Sequence, residues 1–251
     1  IASVLTAKTK AILPVHLTGR PCAMDSLLNI ADKHGLHVIE DAAQAVSAAY
    51  KGQKVGSFGT IGCFSLHPLK TLNACGDGGV LTTDDEGLYE QLLTMRNLGL
   101  KTRDDCVVWS QNSRLDTVQA AVLLVKLGYL EEWTLQRRSN ADLYQRALAD
   151  VPQIRCPTDD ETEFAVYHTF VIEAEERDIL QQHLASCNIS TAVHYPVPIH
   201  MSTAGQKLKY GPGDFPNAER QAQKILSLPV HAGLSDAQIR HVCECVRSFY
   251  N

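Results

Sequence analysis

No run of apolar residues in this chain approaches the roughly 20 needed to cross a bilayer, and no charged-then-apolar leader opens it, so the reading is of a cytoplasmic protein without a membrane partner. No stretch of lysine and arginine interleaved with aromatics occurs either, and 23 Lys+Arg stand against 28 Asp+Glu for a net charge of −5. Nucleic acid is therefore not expected as a partner. The eight cysteines lack a framework: positions 22, 63, 75, 106, 156, 187, 243 and 245 are scattered, as reduced thiols in a reducing compartment are. Cys243 and Cys245 are one residue apart within a helical pattern, so they point in different directions, and neither zinc nor any other metal is expected. Repeats and low-complexity tracts are also missing.

What is present is an ordinary enzyme-like composition. The chain has 251 residues, 45% hydrophobic and 20% charged, enough to bury a sizeable core in one large domain or two smaller ones. Its first part alternates strand and helix. Residues 11–17 form an apolar run whose Pro14 places it at a sheet edge or irregularity. A helix over residues 24–34 follows, with Gly35 as its stop, then a strand over 36–41. Strand, helix, strand implies a parallel, right-handed βαβ unit, and ligands bind such sheets beyond the carboxyl ends of the strands. Asp41 ends its strand there, as a cap or as a functional group.

Two further strands, residues 60–64 and 80–83, bracket a turn that holds Lys70. In a solvated turn Lys70 is an ordinary surface lysine. Held over the sheet and partly desolvated, its charged form is penalised and its amine becomes a usable nucleophile. Helices are expected over residues 84–97, 112–127 and 131–149, Asn112 opening the second. Val151-Pro152 and Cys156-Pro157-Thr158 mark a boundary, dividing the chain into residues 1–150 and 151–251. The second part is expected to be a small α+β domain: strands over 167–173 and 190–194, helices over 178–187, 217–226 and 235–249, and Ser235 as the last helix's N-cap.

Several stretches together resemble a known family. They are residues 9–19 (Thr-Lys-Ala-Ile-Leu-Pro-Val-His-Leu-Thr-Gly), Glu40-Asp41-Ala42-Ala43-Gln44-Ala45, Phe64-Ser65-Leu66-His67-Pro68-Leu69-Lys70, Gly76-Asp77-Gly78-Gly79, Met95-Arg96-Asn97-Leu98-Gly99, Asn112-Ser113-Arg114-Leu115-Asp116, Tyr167-His168-Thr169-Phe170, Gly213-Asp214-Phe215-Pro216 and Leu226-Ser227-Leu228-Pro229. In this order they resemble the DegT/DnrJ/EryC1/StrS nucleotide-sugar aminotransferases, pyridoxal-phosphate enzymes of the aspartate-aminotransferase (type I) α/β fold. The resemblance implies the later part of a large cofactor-binding domain with a mostly parallel sheet, followed by the small domain.

It also implies roles. Lys70 would form the internal aldimine with pyridoxal 5'-phosphate and then shuttle the substrate proton as base and acid. Asp41 would face the ring nitrogen, which must stay protonated for the ring to act as an electron sink. Gln44 would bond the ring hydroxyl, and Ser65 would help to hold the phosphate. Asn112 resembles a residue that reaches the neighbouring subunit's cofactor in a homodimer, with a structural cap as its alternative. Arg114, His194, Tyr195 and His200 fall in regions associated with substrate. Arg96 and Asn97 read as a helix end. The implied reaction moves an amino group, from glutamate, to a nucleotide-linked keto-deoxysugar.

Family members carry a segment before the stretch matched by residues 9–19, with a Gly-Thr phosphate loop and a side chain that stacks on the cofactor ring. The sequence here starts after it. The expectation is of a truncated product, and of a catalytically incompetent fragment as the rival to an active enzyme. A pyridoxamine-dependent sugar dehydratase is a further alternative, but in that branch a histidine replaces the lysine that is present here as Lys70.

Overall fold

Strand β1 (Ala11–Ile12) and helix α1 (Met24–His34) show how the apolar pattern becomes a layer in the computed structural model, which describes residues 1–251. Met24 and Ala31 are buried on one face of α1 and join Ile12 and Val38 in a cluster that also takes in Leu27 and Leu28. Each large aliphatic side chain buried this way contributes about 1.5–3 kcal/mol. Gly35 ends α1 in the left-handed region at φ 62°, donating its N–H to the carbonyls of Ala31 and Asp32. A side chain at that φ would be strained.

The chain forms two units, residues 1–134 with 159–166, and residues 135–158 with 167–251. In the first, strand β2 (His37–Asp41) runs parallel to β1. A short hairpin follows, β3 (Ala49–Tyr50) and β4 (Gln53–Lys54), turning at Lys51-Gly52. Strand β5 (Ile61–Ser65) returns parallel to β2, and β6 (Gly79–Thr82) pairs antiparallel to β5, giving the sheet order β1-β2-β5-β6. Helix α2 (Glu86–Met95) is capped by the Asp85 side chain and leads into a hairpin of β7 (Leu100–Thr102) and β8 (Asp105–Cys106).

Helix α3 spans Thr117–Leu127 and begins after Asp116. The expectation that Asn112 opens this helix is therefore corrected: residues 112–115 are non-helical, and Asn112 bridges to Asn97 as an isolated antiparallel pair. The cause is local. The Asn112 side-chain oxygen accepts the Arg114 N–H at 3.2 Å, a turn that competes with helix.

Helix α4 (Leu130–Ala147) carries the passage from one unit to the next. In the second unit, β9 (Ile154–Arg155) opens an antiparallel sheet. Residues 159–166 then return to the first unit, where β10 (Glu163–Phe164) pairs with β3 and Arg20 meets Glu163 at 2.7 Å. No composition shift marks that return, so a single cut near residue 150 does not describe the chain.

Strand β11 (Phe170–Ala174), helix α5 (Arg177–Ser186), helix α6 (Pro216–Lys224), strand β12 (Ile225–Leu228) and helix α7 (Asp236–Tyr250) complete the second unit. Its sheet order is β12-β11-β9. The expected strand over 190–194 reduces to one bridge between Ala192 and Ser227, and residues 225 and 226, expected to end a helix, belong to β12. Tyr144 is fully buried, stacks on Phe170 at 4.9 Å and donates its hydroxyl to the Pro229 carbonyl at 2.8 Å.

At the start of α7, Ser235 and Gln238 form a capping box, as the sequence indicates. Ser235→Ala is expected to cost about 1 kcal/mol, read as a lower midpoint in denaturant with unchanged slope. No helix of the chain is long and apolar enough to cross a membrane.

Candidate active site

The parallel strands β2 and β5 end side by side, in the register Asp41 with Cys63. Asp41 is clamped from both flanks: its N–H donates to Pro14 O at 2.9 Å, its carbonyl accepts from His16 N–H at 3.0 Å, and Ala42 N–H donates to Cys63 O at 2.8 Å. Asp41 Oδ1 accepts the Ala43 N–H at 3.0 Å, which fixes the carboxylate's rotation. Its Oδ2 accepts nothing from the chain. The Asp41 and Ser65 side chains line a cavity of about 390 Å³ with Leu13, Ile39 and Phe64.

Behind Asp41 lies a buried pair to which the sequence gives no role. Glu40 and His16 are both 0% exposed. Glu40 accepts four hydrogen bonds: His16 Nε2 at 3.1 Å, Gly56 N–H at 2.7 Å, and Phe58 and Gly59 N–H at 2.8 Å each. The Cys22 N–H donates to His16 Nδ1 at 3.0 Å, so the proton that faces Glu40 is carried by Nε2. Burial works to raise the Glu40 carboxyl, but the bonds from His16 and the three amides outweigh it and hold the group below the usual carboxylate range. The alternation of β2 turns Val38 and Glu40 to its buried side, and a carboxylate at such a position needs donors.

Lys70 sits in the loop between β5 and β6, and that loop is stitched at both ends. Leu66 N–H donates to Gly78 O and Ala74 N–H to Leu66 O, each at 2.8 Å. Leu66, Leu72 and Ala74 are buried with Leu123 of α3 and Leu130 of α4. The Asn73 side chain donates to the Lys70 carbonyl at 2.8 Å, Lys126 donates to Asn73 O at 2.9 Å, and Cys75 N–H donates to Gln119 at 2.8 Å. Burial pushes the Lys70 ammonium below its ordinary value, and the nearby Asp41 charge partly offsets this. The loop thus holds a half-desolvated amine within reach of the Asp41 field, unlike a free surface lysine.

The remaining expected residues are placed as follows. Gln44 Oε1 accepts the Thr18 N–H at 2.6 Å. Ser65 Oγ accepts the His67 N–H at 3.3 Å, which leaves its own proton for an acceptor. Asn112 Oδ1 takes both the N–H and the Nε–H of Arg114, the latter at 3.1 Å, and neither residue lines the Asp41 cavity. In the second unit, His194 Nδ1 is 2.8 Å from Ser227 Oγ, and Tyr195 is exposed. His200 is buried, with Nε2 3.0 Å from Glu219 and its ring against Phe215, so its imidazole is committed to latching the loop. A larger groove of about 880 Å³ between β6 and α2 contains none of Asp41, Ser65 and Lys70.

These features fit a flat, protonated aromatic ring: a cavity with apolar walls and a carboxylate residue in its lining, and an electrostatically coupled amine on a stitched loop. Together with the sheet they define an α/β fold of the aminotransferase type. The family model of the DegT/DnrJ/EryC1/StrS aminotransferase family matches residues 1–247, and the chain belongs to that family.

The chain is 43% identical over 248 residues to the erythromycin biosynthesis sensory transduction protein EryC1 of Saccharopolyspora erythraea, covering 99% of this chain and 68% of that one. It is 40% identical over 249 residues to dTDP-3-amino-3,4,6-trideoxy-alpha-D-glucose transaminase of Streptomyces venezuelae, covering 99% and 66%. The crystal structure of S. venezuelae DesV in complex with a ketimine intermediate superposes with a TM-score of 0.95 at 41% identity, over 98% of this chain and 67% of that one. The chain thus spans about two thirds of the length of these relatives.

Proposed function

We propose that this chain carries the catalytic lysine of a pyridoxal-phosphate-dependent aminotransferase that passes an amino group from glutamate to a nucleotide-linked keto-deoxysugar. The observation that carries this reading is Lys70, a partly buried amine on a stitched loop with the Asp41 charge acting on it. The relatives support the substrate class, since two of those matched over nearly this whole chain are transaminases of dTDP-linked amino sugars.

When bound, pyridoxal phosphate supplies an aldehyde for amine capture and a ring that accepts electrons from the substrate carbon. Asp41, oriented by Ala43, would accept the ring N–H, and Ser65 would donate its hydroxyl to the phosphate. Gln44, whose oxygen accepts the Thr18 N–H, is assigned to the ring hydroxyl by family resemblance. Lys70, its ammonium disfavoured by burial and favoured by the Asp41 charge, would be the amine that holds the cofactor's aldehyde carbon. When free, the same Lys70 amine would take the proton from the substrate carbon as base and return it as acid.

The apolar exposed residues of α3, among them Val118, Leu124 and Val125, support association into a homodimer, with Asn112 directed to the partner's cofactor in this reading. The assignment of Arg114, His194, Tyr195 and His200 to substrate rests on family resemblance.

Asp41→Asn is expected to retain cofactor capture at Lys70 while slowing transfer by about 10²–10³-fold, the typical loss of one preorganised electrostatic partner. The proposal is tested by adding glutamate to the cofactor-loaded protein and measuring 2-oxoglutarate. Release of one equivalent per loaded site supports it. Loaded protein that yields none, with glutamate or any other amino-acid donor, defeats the aminotransferase reading.

A further inference from the structure

Four side chains outside that site converge between α5 and α7. Cys187 caps the C-terminus of α5, and His183 lies one turn before it. His183 Nε2 is 3.0 Å from the Cys245 carbonyl, to which it donates, and 3.9 Å from Cys187 Sγ. The mirror arrangement occurs on α7: His241, one turn before Cys245, has Nε2 3.4 Å from the Cys187 carbonyl and 3.8 Å from Cys245 Sγ. Each histidine therefore touches both cysteine residues. Two helices are joined here by two thiols and two imidazoles, and the aminotransfer chemistry uses none of them.

We propose that Cys187 and Cys245 are an oxidation site, closing to a disulfide between α5 and α7 when the protein meets a peroxide. Cys187 is only partly buried and is the thiol an oxidant reaches first, whereas Cys245 is buried. Burial first, and then the contact with the Cys187 thiol, push Cys245 up to about 11, so Cys245 is not the first thiol to be oxidised and enters only once the Cys187 sulfur has become the electrophile.

The steps balance. The Cys187 thiolate attacks one oxygen of hydrogen peroxide; the O–O bond breaks, leaving a sulfenic acid and a hydroxide that takes up the thiol's proton as water. Cys245 sulfur then attacks the Cys187 sulfur; the S–O bond breaks, and the departing oxygen leaves as a second water with the Cys245 proton. Two thiols are oxidised by two electrons, and one peroxide is reduced.

The test is to treat the full chain with hydrogen peroxide, alkylate the remaining thiols, digest without reductant and map the peptides by mass. The expected result is a linked Cys187–Cys245 peptide pair, two hydrogens lighter than the separate thiols and released by dithiothreitol. A raised thermal midpoint of the oxidised chain is expected with it, since the link constrains the unfolded state. Cys187→Ser, with unchanged circular dichroism, should give no link and leave Cys245 alkylatable after unfolding. The proposal is overturned if both cysteines are recovered alkylated, if Cys187 proceeds to sulfinic acid with Cys245 untouched, or if the link joins a different cysteine such as Cys243.

Discussion

Lys70→Ala is expected to abolish covalent capture of pyridoxal phosphate and to lower amino transfer from glutamate by about 10²–10⁴-fold through lost proton transfer alone. Loss of the nucleophile adds to that deficit. The fold should not suffer. The loop is held by Leu66, Leu72, Ala74 and Asn73, and Asn73 grips the Lys70 carbonyl, which alanine retains. Stability should rise slightly at neutral pH, because burial disfavours the Lys70 ammonium in the folded chain. The sign follows from proton linkage: the unfolded chain binds the Lys70 proton more tightly, so the wild-type penalty is present at neutral pH. It fades as pH rises toward the unfolded lysine value of about 10.5. Melting curves of the two proteins should therefore converge as pH increases. A Lys70→Ala variant that transfers at the wild-type rate would assign the chemistry to another amine.

Glu40→Ala is expected to produce the largest loss of stability, about 3–5 kcal/mol, since each buried donor left without its acceptor costs about 1–3 kcal/mol and water recovers part of that for the less buried ones. Four donors lose their acceptor at once: His16 and the amides of Gly56, Phe58 and Gly59. Unpaired buried donors keep their full desolvation cost. At about 2–4 °C per kcal/mol, the transition of the first unit should fall by roughly 6–20 °C. The loss should reach the site as well, because the His16 backbone N–H holds the Asp41 carbonyl. Cofactor capture should weaken even where the fold persists. The pH dependence is set by the depressed Glu40 carboxyl. Its contribution is complete above the unfolded glutamate value of about 4.5 and is lost as pH falls from there through the lowered folded value. Wild type should thus lose stability across that acidic window, and Glu40→Ala should lack this component.

The sequence revealed the parallel strand pairs and the helix between them because periodicity and glycine stops are local signals. Gly35 and Ser235 act where the pattern places them. The positions of Asp41 at a strand end and of Lys70 on the loop after the next strand were legible, and the family motifs marked both as candidates. The Glu40–His16 pair was not, since the two residues lie 24 positions apart and nothing local distinguishes a buried carboxylate from an exposed one. The one available clue was a glutamate at an inward position of an apolar strand. Asn112 misled because the helix pattern continues backward from Thr117, whereas its side chain folds onto Arg114 instead. The excursion of residues 159–166 to pair with β3 is likewise a long-range event, invisible in a window.

The central claim, that Lys70 is the amine that binds the cofactor, is tested most directly by incubating the chain with pyridoxal phosphate, reducing with borohydride and locating the phosphopyridoxyl mass by peptide mapping. The account predicts one equivalent on Lys70, absent when Lys70 is alanine. Label spread over other lysines with Lys70 unmodified, on a chain that retains its native circular dichroism, would contradict it.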